Sequence, residues 1–354
     1  MTPAGSAGPD PMPPPLAVTM GEPAGIGGEI ALKAWLQRKA ERLHPFFLID
    51  DPERLAGIAA ELGLPAAAVQ IDSPDACAEA FGTGLPVLPL GTAVQADPGH
   101  PKAENADAVL RSIRQAVTLT LSGAASAVVT NPIHKQVLME AGFHHPGHTE
   151  YLAELCGGAE KPVMMLAGDA LRVVPVTVHR PLAEVPAGLS TALIVETGRT
   201  TALALRRRFG IDRPRLAVAG LNPHAGEGGQ LGTEDAEIVA PAVAQLRGEG
   251  LDAAGPFAAD SLFHPAARAR YDAALCMYHD QALIPIKTID FERAVNVTLG
   301  LPIIRTSPDH GTALDIAGRG KASATSLIAA LAMAATMAAR SQHGAGEPRA
   351  AAKP

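Results

Sequence analysis

Short runs of consecutive apolar residues alternate along this chain with longer stretches in which apolar residues recur every three to four positions. The runs at 16–20, 46–50, 87–90, 126–130, 171–178, 215–221, 273–278 and 294–299 have the length and aliphatic character of buried strands. Helical periodicity fills the intervals. It predicts helices from a glycine-rich turn at 21–29 to about Ala40, over 52–62, over 105–121 and, beyond 135, around Val137 and Leu138. Further helices are expected from 147–150 onward with Thr149 as N-cap, over 190–209 closed by Gly210, beyond a cap at Thr233, and over 321–340. Residues 91–101 read as loop. Strand and helix alternate throughout, without internal repeat. The expected class is therefore α/β, with a largely parallel, doubly wound sheet.

A length of 354 residues allows two domains or one large α/β unit. The chain is 47% hydrophobic but only 3% aromatic, so its core must be aliphatic and rich in alanine. A net charge of -7 argues against nucleic acid as the main partner. The run Arg206, Arg207, Arg208 reads instead as the solvated C-terminal end of a helix, where cations are favoured. Cys77, Cys156 and Cys276 are odd in number and widely spaced, so neither a disulfide framework nor a thiolate zinc knuckle is indicated. That usage fits a reducing cytoplasm. Residues 1–15 read as a flexible extension without signal-peptide character, and 341–354 as a disordered tail. The longest apolar stretch, near 327–337, is too short to span a bilayer, so no membrane partner is expected.

Three constellations carry the chemistry. His179, His224 and His279 each follow a predicted buried strand, the address at which open α/β sheets bind ligands. Three neutral imidazoles there can hold one divalent ion, with Asp280 as orienter or further ligand; each can equally be a hydrogen-bonded loop residue. Lys287, Asn296 and Arg305 lie among strongly apolar neighbours, where charge needs a partner. The partner is either a bound phosphate or carboxylate, or an internal acid: Asp290, Glu292 or Asp309. His148 and Thr149, at a helix start, can donate to the same anion or simply cap. The turn at 309–320, with His310, Gly311 and Thr312, can let backbone approach a nucleotide, or be a plain left-handed loop. A metal-dependent hydrolase or a non-catalytic metal or phosphate binder would use the same residues.

The blocks GEPAGIGGE, TNPIHK, PGHTE, LNPHAGE, YHDQ and VNVTLGLPIIRTSPDHGTALDIAG, with the strand ending in His179, occur in a telling order. Together they resemble the 4-hydroxythreonine-4-phosphate dehydrogenases of pyridoxal phosphate biosynthesis, over roughly 16–340. LNPHAGE and RTSPDHGTA are the most specific blocks; the latter, with DIAG, also resembles the nucleotide loop of isopropylmalate and isocitrate dehydrogenases. The resemblance implies the two-domain α/β/α fold of those enzymes, with the active site in the interdomain cleft. Residues 16–140 plus 305–340 would form the first domain and 141–304 the second. The implied reaction is NAD- or NADP-dependent oxidation of 4-phosphooxy-L-threonine to 2-amino-3-oxo-4-phosphooxybutanoate, which decarboxylates to 3-amino-2-oxopropyl phosphate.

Carried over by motif, His179, His224 and His279 would hold one divalent metal per subunit, zinc foremost, with magnesium or cobalt as alternatives. His148, Thr149, Lys287, Asn296 and Arg305 would contact substrate, and His310, Gly311 and Thr312 the cofactor. Asp280, Lys287 and a metal-bound water are the candidate proton acceptors. The resemblance also implies a cytoplasmic homodimer with its site at the subunit interface, His179 and His279 coming from different chains. Three positions depart from the family pattern: Glu22 where Asp is common, Gly28 where Pro is common, and His134 where Asn or Ala is frequent. They bear on substrate preference, since relatives of this fold oxidise other phosphorylated hydroxy acids or cyclic diols.

Overall fold

A computed structural model describes residues 13–145, 147–158 and 161–343. Most of the expected extension and tail lies outside the described residues. Twelve strands follow in chain order: β1 Leu16–Thr19, β2 Phe46–Asp50, β3 Ala68–Gln70, β4 Leu85–Pro89, β5 Ala127–Val129 and β6 Val163–Ala167, then β7 Arg172–Pro175, β8 Arg215–Ala219, β9 Asp252–Phe257, β10 Ala273–Cys276, β11 Val295–Leu299 and β12 Arg305–Pro308. The α-helices are α1 Gly27–Gln37, α2 Pro52–Glu61, α3 Cys77–Thr83, α4 Ala106–Leu121, α5 Lys135–Glu140 and α6 His148–Leu155, then α7 Val185–Gly188, α8 Thr191–Phe209, α9 Ala240–Gly248, α10 Pro265–Arg268, α11 His279–Ile289 and α12 Thr325–His343. Residues 341–343, expected in the tail, continue α12.

The strands make one sheet in the order β3-β4-β2-β1-β5-β12-β11-β6-β7-β10-β8-β9. Most pairs are parallel, as expected for an α/β chain. The exceptions are central: β11 is antiparallel to both β12 and β6, and β6 to β7. These reversals turn the two halves of the sheet against each other. β1, β5 and β12 run one way; β7, β10 and β8 run the other. The C-terminal ends of the two groups therefore lie at opposite edges, about 15 Å apart for strands of this length.

Helices cover both faces, so most strands are buried on both sides and read as unbroken apolar runs. On one face a single core crosses the whole sheet, from Leu16 and Phe46 through Val295 and Val297 to Leu275, under α12 with its Leu327 and Leu331. On the other face the apolar cover splits. One cluster joins Ala17, Phe47 and Ile49 to Val109 and Ile113 of α4. The second joins Leu166, Val173 and Ala274 to Ala282, Leu283 and Ile286 of α11. Between them lie β12 and β11, whose register sets Arg305 opposite Thr298 and Ser307 opposite Asn296. Side chains alternate along a strand, and Val295, Val297 and Leu299 take the continuous core. The remaining positions form a polar stripe down the middle of the split face.

Candidate active site

Arg305 is the centre of that stripe and is only 4% exposed. Thr130 Oγ1 accepts from its Nε at 3.1 Å and from its Nη2 at 2.7 Å, and Thr298 Oγ1 accepts from Nη1 at 2.9 Å. Two neutral hydroxyls thus orient the fork. Among the described residues no carboxylate pairs with it. Burial lowers its pKa to about 10, which leaves it cationic at neutral pH. A buried guanidinium without an acid is costly unless an anion arrives. Nothing in the sequence marks Thr130 and Thr298 as site residues; the strand register is what brings them to Arg305.

His148 opens α6 beside Arg305. Its Nε2 is sealed from solvent and has no hydrogen-bond partner. Burial first, and then the Arg305 charge, push its pKa down to about 3, so the ring is neutral at physiological pH. It can donate one N–H or accept, but it adds no second positive charge to the anion seat. Thr149 is half-buried as the second residue of α6. The expected Thr149 cap is corrected: Gly147 occupies the N-cap, with no side-chain cap.

Lys287 lies in the last turn of α11 and Asp309 just beyond β12. Their charged groups are 2.8 Å apart. Of the alternatives open in the sequence, the internal acid is realised for Lys287 but not for Arg305. Asn296 is half-buried on β11, opposite Ser307 of β12.

The histidines gather in part. His179 follows β7 and His279 follows β10, and these strands pair directly. Their rings face each other within one chain, with centroids 6.0 Å apart and planes tilted by 42°. His279 is the first residue of α11, and its Nδ1–H donates to Asp280 Oδ1 at 2.7 Å, leaving Nε2 for a ligand. His224 follows β8, one strand further on. Among the described residues no three side chains of the metal-binding types converge on one point. The donor chemistry fits a divalent ion at two positions, and His224 stands one strand away.

Both His179 and His224 sit in the left-handed region, at φ 50° and 53°. Non-glycine residues rarely adopt it, and such strain clusters at functional sites. Two further side chains, unmarked as site residues in the sequence, fix the strand exits that lead to His224 and His279. Asp235, 2% exposed, accepts from Leu221 N at 2.7 Å and Asn222 N at 3.0 Å, pinning the turn that carries His224. Gln281 accepts from Met277 N and donates to Gly220 O, both at 2.7 Å, tying the exit of β10 to that of β8.

At the opposite edge the glycine-rich turn after β1 meets the loop after β12. Ile26 N donates to Thr312 O at 3.2 Å, and a Cβ on Gly25 would come within 2.9 Å of that oxygen. Gly25 is needed for this approach. His310 Nε2 is buried without a partner, and a Cβ on Gly311 would meet open space. The left-handed positions of this loop are Ala313, Gly318 and Gly320, so Gly311 is not there for its φ. A cavity of about 440 Å³ opens beside the turn, lined by Gly25, Arg54, Lys102 and Gly318 among others. Asp50, at the end of β2, is taken by Arg54 at 2.6 Å. Burial raises the pKa of the Glu22 carboxyl, against the pull of the Ala24 N–H, His134 and Arg54.

Residues 42–334 match the family model described as pyridoxal phosphate biosynthetic protein PdxA. A 4-hydroxythreonine-4-phosphate dehydrogenase of Methylorubrum extorquens is 56% identical over 332 residues, covering 92% of this chain and 95% of its own. The crystal structure of the Klebsiella pneumoniae enzyme of that name superposes with a TM-score of 0.82 at 39% identity, covering 92% of this chain and 99% of its own. A terephthalate 1,2-cis-dihydrodiol dehydrogenase of Burkholderia xenovorans is more distant, with a TM-score of 0.63 at 28% identity and coverage of 91% and 97%. Similarity of this extent, carried along nearly the whole chain and its fold, makes the protein a member of the PdxA family of pyridoxal phosphate biosynthetic proteins.

Proposed function

We propose that this chain is a 4-hydroxythreonine-4-phosphate dehydrogenase, oxidising the secondary alcohol of 4-phosphooxy-L-threonine with NAD or NADP. The 3-oxo product is a β-keto acid, which loses CO2 to give 3-amino-2-oxopropyl phosphate. The single observation that carries the substrate class is Arg305, a buried cation held by two hydroxyls and facing no acid. Its fork suits a phosphate or carboxylate bidentately. Neutral His148 supplies a further hydrogen bond, and Thr149, Asn296 and Lys287 border the same stripe. Fixing the anionic ends in this way aligns the carbinol for transfer, which is where much of the rate advantage of a bound substrate arises.

His179 and His279, with His224 from the next strand end, are the residues that would hold a divalent metal. When bound, such an ion polarises the carbinol oxygen and stabilises negative charge during loss of CO2. Asp280 acts on His279, fixing its tautomer and direction. The metal identity follows the donors: imidazole nitrogens suit zinc, and cobalt and magnesium remain to be compared with it. The dinucleotide would lie along the loop of His310, Gly311 and Thr312, where the turn, the loop and the cavity meet.

The functional unit in this reading is a homodimer of two-domain chains, divided at 140 and 304. Within one chain the histidine pair and the dinucleotide loop occupy opposite edges of the sheet. A second chain can bring the two kinds of edge together. Large apolar side chains stand exposed on and after α11, Ile284 at 64% and Phe291 at 73%, on the element that carries His279 and Lys287. Among the described residues no helix is long and apolar enough to cross a membrane, and a cytoplasmic location fits the free cysteines.

The test is reduction of NAD and of NADP with a panel of substrates: 4-phosphooxy-L-threonine, other phosphorylated hydroxy acids and a carboxylated cis-dihydrodiol. Reduction with 4-phosphooxy-L-threonine well above the others is expected. Preference for the diol would move the chain to the reading that the Burkholderia xenovorans structure represents, and no reduction at all would defeat the dehydrogenase.

A further inference from the structure

We infer that Asp309 is a positioning residue for the alcohol substrate, holding the Lys287 ammonium toward the polar stripe, although it opens the loop assigned to the dinucleotide. This rests on the function proposed above. The ion pair is short, at 2.8 Å, and only partly exposed, with side chains 33% and 16% accessible. Such a pair is screened less than one on the open surface.

The two partners come from different parts of the fold. Lys287 ends α11, on one side of the split face; Asp309 leaves β12, on the central strand. Asp309 is itself anchored, since its backbone N–H donates to Ser326 Oγ at 3.2 Å, in the first turn of the buried helix α12. A flexible four-carbon lysine is thereby tied to a fixed carboxylate. The contact is an ion pair and not an aligned hydrogen bond, since Asp309 Oδ2 is buried without a hydrogen-bond partner. The carboxylate thus fixes the ammonium by charge, and the lysine keeps its N–H donors for an anion in the stripe. Adjacent residues of one loop therefore serve different ligands: Asp309 the alcohol through Lys287, and His310 the dinucleotide.

The experiment compares Asp309→Asn, Lys287→Ala, the double variant and His310→Ala with wild type. Asn keeps the shape of Asp and removes its charge; thermal melting verifies that each variant folds. For Asp309→Asn, the KM for 4-phosphooxy-L-threonine should rise roughly tenfold, the scale of one charge-assisted hydrogen bond, while that for NAD stays within about twofold. His310→Ala should show the reverse. In the double variant the loss should equal that of Lys287→Ala alone, because Asp309 acts through Lys287. Binding of inorganic phosphate, measured by calorimetry on the free protein, should weaken alike in Asp309→Asn and Lys287→Ala. That readout needs no turnover, so it still decides the matter if the proposed reaction fails in wild type. A rise confined to the KM for NAD, multiplied losses in the double variant, or phosphate binding that is absent in wild type or untouched by Asp309→Asn would each overturn the assignment.

Discussion

At the scale of single residues, the site is defined by groups whose ionisation burial has changed. His148 gives a pH signature. The unfolded chain binds its proton near 6.5 and the folded chain only near 3. Between those values the unfolded state holds more protons, so this residue removes stability as pH falls through that window. His148→Gln should therefore shrink the drop in Tm between about pH 7 and pH 5 by about 2–4 °C. A drop equal to that of wild type would place the ring in solvent. The sequence reveals that a histidine stands at a helix start beside glycine, but not that its Nε2 is sealed beside a guanidinium. The positive φ of His179 and His224 is likewise hidden, because neither residue type demands it. Lys287 and Arg305 look alike in the sequence, two cations among apolar neighbours. Only the fold gives one an acid and denies it to the other.

At the scale of elements, most strands legible in the sequence are buried on both faces, although β6, equally apolar and buried on both faces, is not among them. β1, β2, β5, β8 and β10 read as apolar runs because helices cover them on both sides. β12 does not, since its Arg305 and Ser307 belong to the polar stripe, and its Thr306 on the other face donates to Ala330 O of α12. β9 contains Gly255 and Pro256 and sits at the sheet edge, where such residues are tolerated. The sequence does not announce the helix α11, for a local reason: Pro285 stands in its interior, the usual sign of a break. Yet α11 orients His279, and Gln281 in its first turn connects two strand ends. Gln281→Leu should cost about 1–3 kcal/mol of stability, because it strands Met277 N–H and Gly220 C=O. It should also weaken zinc binding about 10- to 100-fold in a chelator competition. A variant with wild-type zinc affinity would show that the β8–β10 tie does not position the histidines.

At the scale of the whole molecule, the successive reversals of strand direction from β12 through β11 and β6 to β7 are the feature from which the rest follows. They set the two halves of the sheet against each other, with the Arg305 stripe between the two apolar clusters and the histidines and the loop after β12 at opposite edges. Sequential alternation of strands and helices predicts a doubly wound sheet, but it carries no mark of a reversal inside a continuous apolar pattern. In the proposed homodimer a second chain covers the apolar side chains exposed on and after α11. Wild type should sediment at twice the 36.3 kDa chain mass, and Ile284→Asp with Phe291→Asp should sediment as a monomer with little activity. A wild-type monomer with full turnover would mean that one chain builds the whole site. The most direct measurement of the central claim, that the buried Arg305 seats the substrate's phosphate, is kcat/KM for 4-phosphooxy-L-threonine against 4-hydroxy-L-threonine. In wild type the phosphorylated substrate should be favoured at least about a hundredfold, and Arg305→Lys should remove most of that preference. Equal kcat/KM for the two substrates, or a preference that survives in Arg305→Lys, would contradict it.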